Sequence, residues 1–402
     1  MKVLVVTEPG VDGVFRYVDT LCRFLDGEGV RVHLAYSDRR AGDRLPELVR
    51  WIEERGGRTL NLRTANRPTF ADGGAFWSLR KLAREVRPDV IHSHSSKAGA
   101  LARALRTAGV RAVQCYHPHA YVGMRPKPGR FDGVYNLVEG ALGRTAHTIV
   151  VSTDEWRFAR ERLKIPAARL HFVSNGVDTD LFSPVGADEK RRRRAALGLP
   201  VDGAVLGFIG RASEQKDPLT LYRAFAQVAA ERPVSLFHVG QGELAERLDE
   251  FVGHAGLAGR IFRRAYMSAP AEFYRVVDGF ILTSRYEGCS LAALEALSAN
   301  LPMILSDAPG NRDLLGQSLS HVWSAAPGDV DGFARGIACW HERLHDDGPV
   351  NHRAVALARF ERRQKYGEVL DLYRRLTAAV ARPAGETGAD AAGPLKTGSP
   401  RP

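Results

Sequence analysis

A chain of 402 residues with 44% apolar content exceeds the usual size of one hydrophobic core, so two domains of similar size are expected. The formal net charge of +11 favours anionic partners, whether nucleotides, acidic lipid headgroups or nucleic acid, without choosing among them. Cys22, Cys115, Cys289 and Cys339 lie far apart with no paired spacing, which argues against a disulfide framework or a zinc site and fits a reducing, cytoplasmic compartment.

Met1-Lys2 runs straight into the short apolar stretch Val3-Leu4-Val5-Val6, too brief for a signal-peptide core, and no later apolar run approaches bilayer length. The expectation is a cytoplasmic protein, at most peripheral at the inner face of the membrane. The first half then alternates apolar strands and amphipathic helices: a strand Lys2–Thr7, a helix over 14–25, a strand Arg31–Tyr36. The intervening Glu8-Pro9-Gly10-Val11-Asp12-Gly13 is a glycine-bearing loop that admits close approach of a phosphate or sugar, although it is not a full dinucleotide fingerprint.

A helix over 74–86, a strand over 89–94, a helix over 97–108 and a strand over 110–116 continue the alternation. Such a series predicts a parallel sheet with helices on both faces and ligands beyond the carboxyl ends of its strands. Two histidine clusters fall at such ends, His92-Ser93-His94-Ser95-Ser96-Lys97 and Tyr116-His117-Pro118-His119-Ala120-Tyr121. Neither sets two histidines on one helix face with a nearby carboxylate, so no metal is assigned. His92 and His94 read as packed, hydrogen-bonded side chains. His119, in a proline-containing loop beside aromatic residues, is the better candidate for touching substrate, with His117 competing for that role.

Residues 174–182 are turn-rich and lead through Pro184 into a charged segment, which places the domain boundary at about 183–200, with domains over 1–183 and 184–354. The run Lys190-Arg191-Arg192-Arg193-Arg194 has no interleaved aromatics and no nucleic-acid module around it, so nucleic acid is not expected. It reads as a solvated helix surface or as a contact for an anionic membrane.

A second series begins with the strand Ala204–Ile209, the loop from Gly210 to Pro218 and a helix over 219–230. Arg211 and Lys216 in that loop are suited to two phosphates, the arginine as a fork and the lysine as a point charge, although exposed cations are often simply solvated. The strand Val234–Val239 leads to the close-approach loop Gly240-Gln241-Gly242-Glu243.

Then comes the stretch that organises the rest: a buried strand from Gly279, the turn Arg285-Tyr286-Glu287-Gly288-Cys289, Ser290 as N-cap, and a helix with Leu291, Leu294 and Leu297 at helical spacing. The first N–H groups of such a helix, at Ser290, Leu291 and Ala292, lack internal partners and carry the positive end of its dipole, which suits a diphosphate. Glu295 sits inside an apolar run and needs a polar partner. Taken alone, Glu287 and Glu295 read more readily as a turn residue and a partly exposed helix residue. After a strand over 301–307, a last amphipathic helix is expected over 352–381, with Phe360, Tyr366, Val369, Leu370, Tyr373 and Leu376 on its apolar side, and disorder over 382–402.

In this order, Asn175-Gly176-Val177-Asp178, Gly210-Arg211 with Lys216, and Ser284-Arg285-Tyr286-Glu287-Gly288 through Glu295-Ala296 with Leu301-Pro302 and Asp307 resemble the retaining, nucleotide-sugar-dependent glycosyltransferases of family 4. The resemblance spans most of residues 1–380. It implies the α/β GT-B fold, two Rossmann-like domains facing across a cleft, with the C-terminal helix, 355–381, crossing back to the first. It implies Arg211 and Lys216 on the donor diphosphate, Glu295 on the ribose hydroxyls, Glu287 toward the donor sugar, the N–H groups near Ser290, Leu291 and Ala292 on the phosphates, Gly13 in the first glycine loop and His119 as the active-site histidine. The chain departs from the family pattern at Val11-Asp12-Gly13, which lacks an adjacent glycine pair, at Asn300, where glycine is usual, and at Arg263-Arg264.

The activity implied is transfer of a sugar from a nucleoside diphosphate sugar to a hydroxyl of a glycan or lipid-linked acceptor, with retention and with no metal or other cofactor, in cell-surface polysaccharide or glycolipid synthesis. Contact with an anionic membrane surface is a further expectation. A nucleotide-sugar epimerase of the same fold, or a non-catalytic nucleotide- or anionic-surface-binding protein, are the alternatives.

Overall fold

The computed structural model describes residues 1–381, apart from 11, 40, 43, 66–68, 127, 345–347 and 349; the tail expected to be disordered lies outside the described residues. The chain divides into two units, Met1–Ser174 with Lys365–Pro402, and Asn175–Gln364.

The first unit opens with β1 (Lys2–Thr7), α1 (Asp12–Gly27), β2 (Arg31–Tyr36), α2 (Leu45–Glu54), β3 (Thr59–Asn61) and α3 (Ala71–Val86). It continues with β4 (Val90–His94), α4 (Ser96–Ala104), β5 (Val113–His117), α5 (Asp132–Gly143), β6 (His147–Val150), α6 (Thr153–Arg157) and β7 (Leu170–Phe172). Its strands pair in parallel in the order β3-β2-β1-β4-β5-β6-β7. β1 is buried on both faces because helices cover both, which is why it is apolar without alternation. Val3 and Val5 face a core completed by α1, α2 and, from the end of the chain, Tyr366, Val369, Leu370 and Tyr373. Leu4 and Val6 face the opposite core, built by α3 and α4.

The second unit contains α7 (Ala187–Leu197), β8 (Ala204–Ile209), α8 (Pro218–Ala229), β9 (Val234–Val239), α9 (Ala245–His254), β10 (Ile261–Arg264), α10 (Pro270–Val276) and β11 (Gly279–Leu282). There follow α11 (Leu291–Ser298), β12 (Met303–Ser306), α12 (Arg312–Leu315), β13 (Val322–Ala325), α13 (Val330–Glu342) and α14 (His352–Arg359), and then α15 (Arg362–Ala381), which carries the chain back into the first unit. The strand order is β10-β9-β8-β11-β12-β13, again all parallel. Both halves are thus Rossmann-like α/β units.

Two local features differ from the sequence reading, and a third accounts for a departure from the family pattern. The last helix is broken into α14 and α15 at Phe360–Glu361, because Val177 inserts there: its N–H donates to Phe360 O at 2.7 Å and its carbonyl accepts from Arg362 N at 3.0 Å. Phe360 consequently packs in the second unit's core while Tyr366 onward belongs to the first. The strap also ties residues 175–182 to the second unit, so the division falls at Ser174/Asn175. Asn300, where the family pattern has glycine, adopts φ 58°, a left-handed conformation that asparagine tolerates better than most residues.

The basic run on α7 is more structural than solvated. Lys190 and Arg194 both bind Asp278, at 2.9 and 2.5 Å, and Arg194 also donates to Val276 O at 2.7 Å. Burial alone would raise the pKa of Asp278, but the two cations outweigh it and hold the carboxyl below its usual range. Arg193 bridges Glu189 and Glu272. Three of these cations therefore lock α7 to α10 and β11, and they do not form a free anion-binding patch.

Candidate active site

In the six-stranded sheet the order in which strands are added reverses at β8, which has β9 on one side and β11 on the other, so the connections leaving β8 and β11 at the carboxyl edge run to opposite sides. Such a switch point is where doubly wound sheets bind ligands. Lys216 lies on the first loop and Glu287 on the second, and Lys216 Nζ stands 2.6 Å from Glu287 Oε1, both side chains mostly buried. The two loops are laced together around this pair. Gln215 O accepts from Arg285 N at 2.8 Å, and Gln215 Nε2 donates to Tyr286 O at 3.1 Å. Thr283 Oγ1 lies 3.0 Å from the carbonyls of both Lys216 and Asp217, and Asp217 binds Arg285 Nη2 at 3.2 Å.

Two glycines make the lacing possible. Gly240 has φ 151°, and a Cβ there would sit 1.8 Å from Gly210 O; Gly310 has φ 85°, and a Cβ would sit 2.3 Å from Glu287 O. Gly310 thus lets the loop after β12 press on the turn that carries Glu287, and Glu287 N donates to Pro309 O at 2.8 Å.

Ser290 is the N-cap of α11, in an extended conformation with its Oγ accepting from Ala293 N at 3.4 Å. The N–H groups of Leu291 and Ala292 in the first turn lie beyond the reach of intrahelical bonding. Glu295, one turn further, is 3% exposed, and its partner is Tyr274 on α10, whose hydroxyl donates to Glu295 Oε2 at 2.7 Å. Arg211 sits at the exposed rim of the loop after β8, with Nη2 3.2 Å from Gln215 Oε1. The structure thus gathers Arg211, Lys216, Glu287, Ser290, Leu291, Ala292 and Glu295 along one edge of the second sheet. The Arg263-Arg264 pair is held elsewhere on this unit, Arg263 by Asp249 and Arg264 by Leu197 O.

In the first unit Gly13 lies in the first turn of α1. Tyr17, one turn on, puts its ring against three imidazoles, 5.6 Å from His94, 4.8 Å from His117 and 5.0 Å from His119 between centroids. His117 and His119 stack at 3.8 Å, and His119 Nε2 is 3.0 Å from His94 Nδ1. His92 Nδ1 meets Tyr373 OH of α15, so His92 and His94 are packed and hydrogen-bonded. Of the competing pair, His117 is buried and His119 keeps an exposed edge. His119 and Ala120 have φ 55° and 88°, a strained pair of non-glycine residues of the kind found at functional loops. His92, His94 and His117 each place a ring nitrogen within 4.8 Å of the others; among the described residues these are the ones that could hold a metal ion. Burial pushes His92 and His119 down to about 3, and burial with neighbouring imidazoles takes His94 and His117 well below their ordinary value, so the cluster is neutral.

Sequence reasoning missed Tyr17, Tyr274, Gln215 and Glu155. Glu155 is fully buried on α6, and its two oxygens accept from Ala120 N at 2.8 Å and Val151 N at 2.7 Å, which holds the His119 loop. The Ser152-Thr153-Asp154-Glu155 capping-box pattern was the available signal, and Ser152 does cap α6. Nothing in the spacing marks Tyr17 or Tyr274, whose partners are far away in sequence.

Solved structures share this architecture. Sucrose-phosphate synthase from Thermosynechococcus elongatus superposes with a TM-score of 0.77 over 94% of this chain and all of that one at 21% identity. Anabaena HepE in complex with UDP gives 0.76 over 93% and 100% at 19% identity. The fold is therefore GT-B. Residues 11–181 match the Glycosyltransferase Family 4 model and residues 189–378 the Glycosyl transferases group 1 model. D-inositol 3-phosphate glycosyltransferase 1 of Catenulispora acidiphila is 30% identical over 76% of both chains. The UDP-Gal:alpha-D-GlcNAc-diphosphoundecaprenol alpha-1,3-galactosyltransferase of Escherichia coli is 29% identical over 68% of this chain and 70% of that protein. The chain belongs to the group 1 glycosyltransferases, and it is a glycosyltransferase that uses a nucleotide sugar.

The Lys216–Glu287 pair makes a specific stability prediction. Lys216→Met leaves a covered carboxylate without its cation and should cost on the order of 1–3 kcal/mol in urea denaturation, whereas Lys216→Met/Glu287→Gln should recover part of that loss. A double variant no more stable than the single one would show that the pair is not coupled.

The imidazole cluster sets the acid limit of the first unit. Its histidines take up protons on unfolding below their ordinary value of 6.5 but not when folded, so their stabilisation is full above pH 6.5 and is lost as pH falls toward 3. His33, His147 and His171, lowered to about 4, act in the same direction; Glu155, which burial raises to about 7, opposes them as a single group. The urea midpoint should therefore drop between pH 7 and pH 5, and His117→Phe should flatten the drop; a midpoint that rises on acidification refutes this.

Proposed function

We propose that the protein transfers a hexose-type sugar from a nucleoside diphosphate sugar to a hydroxyl of a glycan or lipid-linked acceptor with retention of anomeric configuration, in the synthesis of cell-surface polysaccharide or glycolipid. The observation that carries the reading is the Lys216–Glu287 pair beside the capped N-terminus of α11 at the switch point of the second sheet. A departing diphosphate gathers negative charge on its β-phosphate, and a fixed cation with oriented N–H groups stabilises that charge without reorganising. Lys216 and Arg211 are assigned to the diphosphate, the N–H groups around Ser290, Leu291 and Ala292 to the same phosphates, Glu295 to the ribose hydroxyls, Glu287 to the donor sugar, and His119 with Gly13 to the sugar side from the first unit.

The burial of Glu295 against Tyr274 supports the ribose role, since a carboxylate held in one place by a phenol presents a fixed acceptor to a diol. No metal is required in this scheme, because the cations at the phosphates are side chains. The printed names of relatives support the donor and acceptor classes: the Escherichia coli enzyme is named for a UDP-galactose donor and a diphosphoundecaprenol-linked acceptor, and HepE structures contain UDP or UDP-glucose. The epimerase and binding-only readings find no support among these relatives.

The test is to screen UDP-sugars first and to follow product with a diphosphopolyprenol-linked glycan acceptor. An α-configured product from an α-configured donor, read from the anomeric proton coupling, is expected; a β product refutes retention, and donor consumption that is independent of acceptor refutes transfer.

Glu295→Ala should weaken nucleotide binding in calorimetry by on the order of 1.5–3 kcal/mol while Ser290 still caps α11. Unchanged affinity would remove Glu295 from the donor site.

A further inference from the structure

His92 and His94 flank Ser93 on β4, and side chains two residues apart on a strand leave the same face of the sheet. β5 runs beside β4 in parallel register with His117 directly opposite His94, which puts a third imidazole on that face. All three are buried, at 0%, 0% and 1% exposure. The spacing that a helix provides for a pair of metal ligands is thus provided here by two neighbouring strands.

Hydrogen bonding uses only part of these rings. His92 Nδ1 meets Tyr373 OH, and His94 Nδ1 lies 3.0 Å from His119 Nε2. The Nε2 atoms of His92 and His94, and both ring nitrogens of His117, are buried without a hydrogen-bond partner in the protein. Buried polar atoms are nearly always satisfied, so unpaired nitrogens on three adjoining rings point to a shared partner.

We propose that His92, His94 and His117 form a binding site for a divalent transition-metal cation of the zinc class. One nitrogen from each ring lies within 4.8 Å of the others. Tetrahedral zinc with bonds of about 2.0–2.1 Å sets its nitrogens about 3.4 Å apart, so the set closes by ring rotations of roughly 1 Å about the soft second torsion of histidine. His92 and His94 ligate through Nε2, while Tyr373 and His119 hold their Nδ1 atoms, as outer partners do for metal-bound imidazoles. Among the described residues no carboxylate or thiol joins the three, which disfavours magnesium and calcium and suits an ion that accepts imidazole. The three donors are neutral, so the fourth position takes a hydroxide or another small anion. His119, half-buried and stacked on His117 at 3.8 Å, stands between the cluster and solvent and marks the entry path.

The ion takes no part in the sugar-transfer step, but it sets the state of His119, a consequence that rests on the proposed function. With Nε2 of His94 on the metal, its Nδ1 carries the proton and donates to His119 Nε2, which leaves the proton of His119 on Nδ1. Loading therefore fixes the sugar-side histidine as a hydrogen-bond donor at Nδ1.

The test is titration of the chelator-stripped full chain with cobalt chloride and zinc sulfate, without donor or acceptor. Wild type is expected to take about one equivalent, to show the visible absorption of tetrahedral nitrogen-bound cobalt, and to gain thermal stability with rising zinc. His92→Phe and His117→Phe, each checked for folding by circular dichroism, should lose the band and weaken zinc binding at least on the order of a hundredfold, and Tyr373→Phe on the order of tenfold. His171→Gln should keep the band, since the His147–His171 pair lies outside the cluster. A wild type without the band overturns the proposal whatever the variants do, because water then satisfies the rings. A band that survives both phenylalanine variants, or that His171→Gln abolishes, overturns it as well. Imidazole nitrogen shifts of the zinc-loaded chain should show His94 ligated through Nε2; ligation through Nδ1 refutes the relay to His119. None of these readouts depends on transfer activity, so they stand apart from the fate of the transferase reading.

Discussion

Lys216 and Glu287 are 71 residues apart and are brought within 2.6 Å by the loops that follow the neighbouring strands β8 and β11. A partly buried ion pair is a weak source of stability, because desolvating both groups offsets most of their attraction. Its value here is positional. The pair fixes where a cation stands relative to the start of α11, and the hydrogen bonds from Gln215, Thr283 and Arg285 that surround it fix the backbone on both sides. Gly240 and Gly310 follow from the same constraint, since the loop after β9 meets that after β8, and the loop after β12 meets that after β11, too closely for any Cβ at those points. The proposed donor site is therefore organised from a charge outward, with the helix end, Glu295 and the glycine approaches arranged around it.

This also explains which parts of the site could be read in the chain. Strand, turn, N-cap and helix are local events, so Ser290, the buried strand before it and the outward N–H groups of Leu291 and Ala292 were legible from apolar spacing and one serine. The need of Glu295 for a partner was legible too, because a carboxylate in an apolar run has few alternatives. Tyr274 as that partner was not, since its placement depends on how α10 packs against α11 and sequence spacing carries no such information. Tyr17 was invisible for the same reason, whereas Glu155 was marked only by its capping-box spacing after Ser152. The last helix was read as continuous because its periodicity is nearly unbroken through Phe360; the break comes from Val177, which takes backbone hydrogen bonds that the helix would otherwise use.

The two units handle polarity differently. The second places charges at its carboxyl edge and pairs Lys216 with Glu287 there. The first gathers His92, His94, His117 and His119 with Tyr17 and Tyr373 into a neutral, ring-packed layer at the end of β4 and β5. Neutral imidazoles stack and exchange hydrogen bonds without mutual repulsion, so four can share a space that would reject four cations. The cost appears in the backbone, where His119 and Ala120 are held in left-handed conformations by Glu155. Strain kept at one loop by a buried carboxylate is what a positioned side chain requires, and it favours His119 over the deeper His117 as the group that faces substrate.

Net charge, which first suggested an anionic partner, overstates the free basic surface of the second unit when read as a run. The five consecutive cations from Lys190 to Arg194 look like a basic patch, yet Asp278, Glu189 and Glu272 neutralise three of them inside the second unit. On α5 itself the two acids, Asp132 and Glu139, are buried and already paired, so they do not offset Arg130 and Arg144 at the surface. What matters for attraction to an anionic surface is charge left over after internal pairing, next to apolar area that gains from leaving water. A count along the chain cannot supply that difference, because the partners of each arginine are decided by the fold. The apolar face of α5, where Val134, Leu137 and Val138 are exposed, is likewise hidden from composition, since the same residues in the opposite helical phase would be an ordinary core.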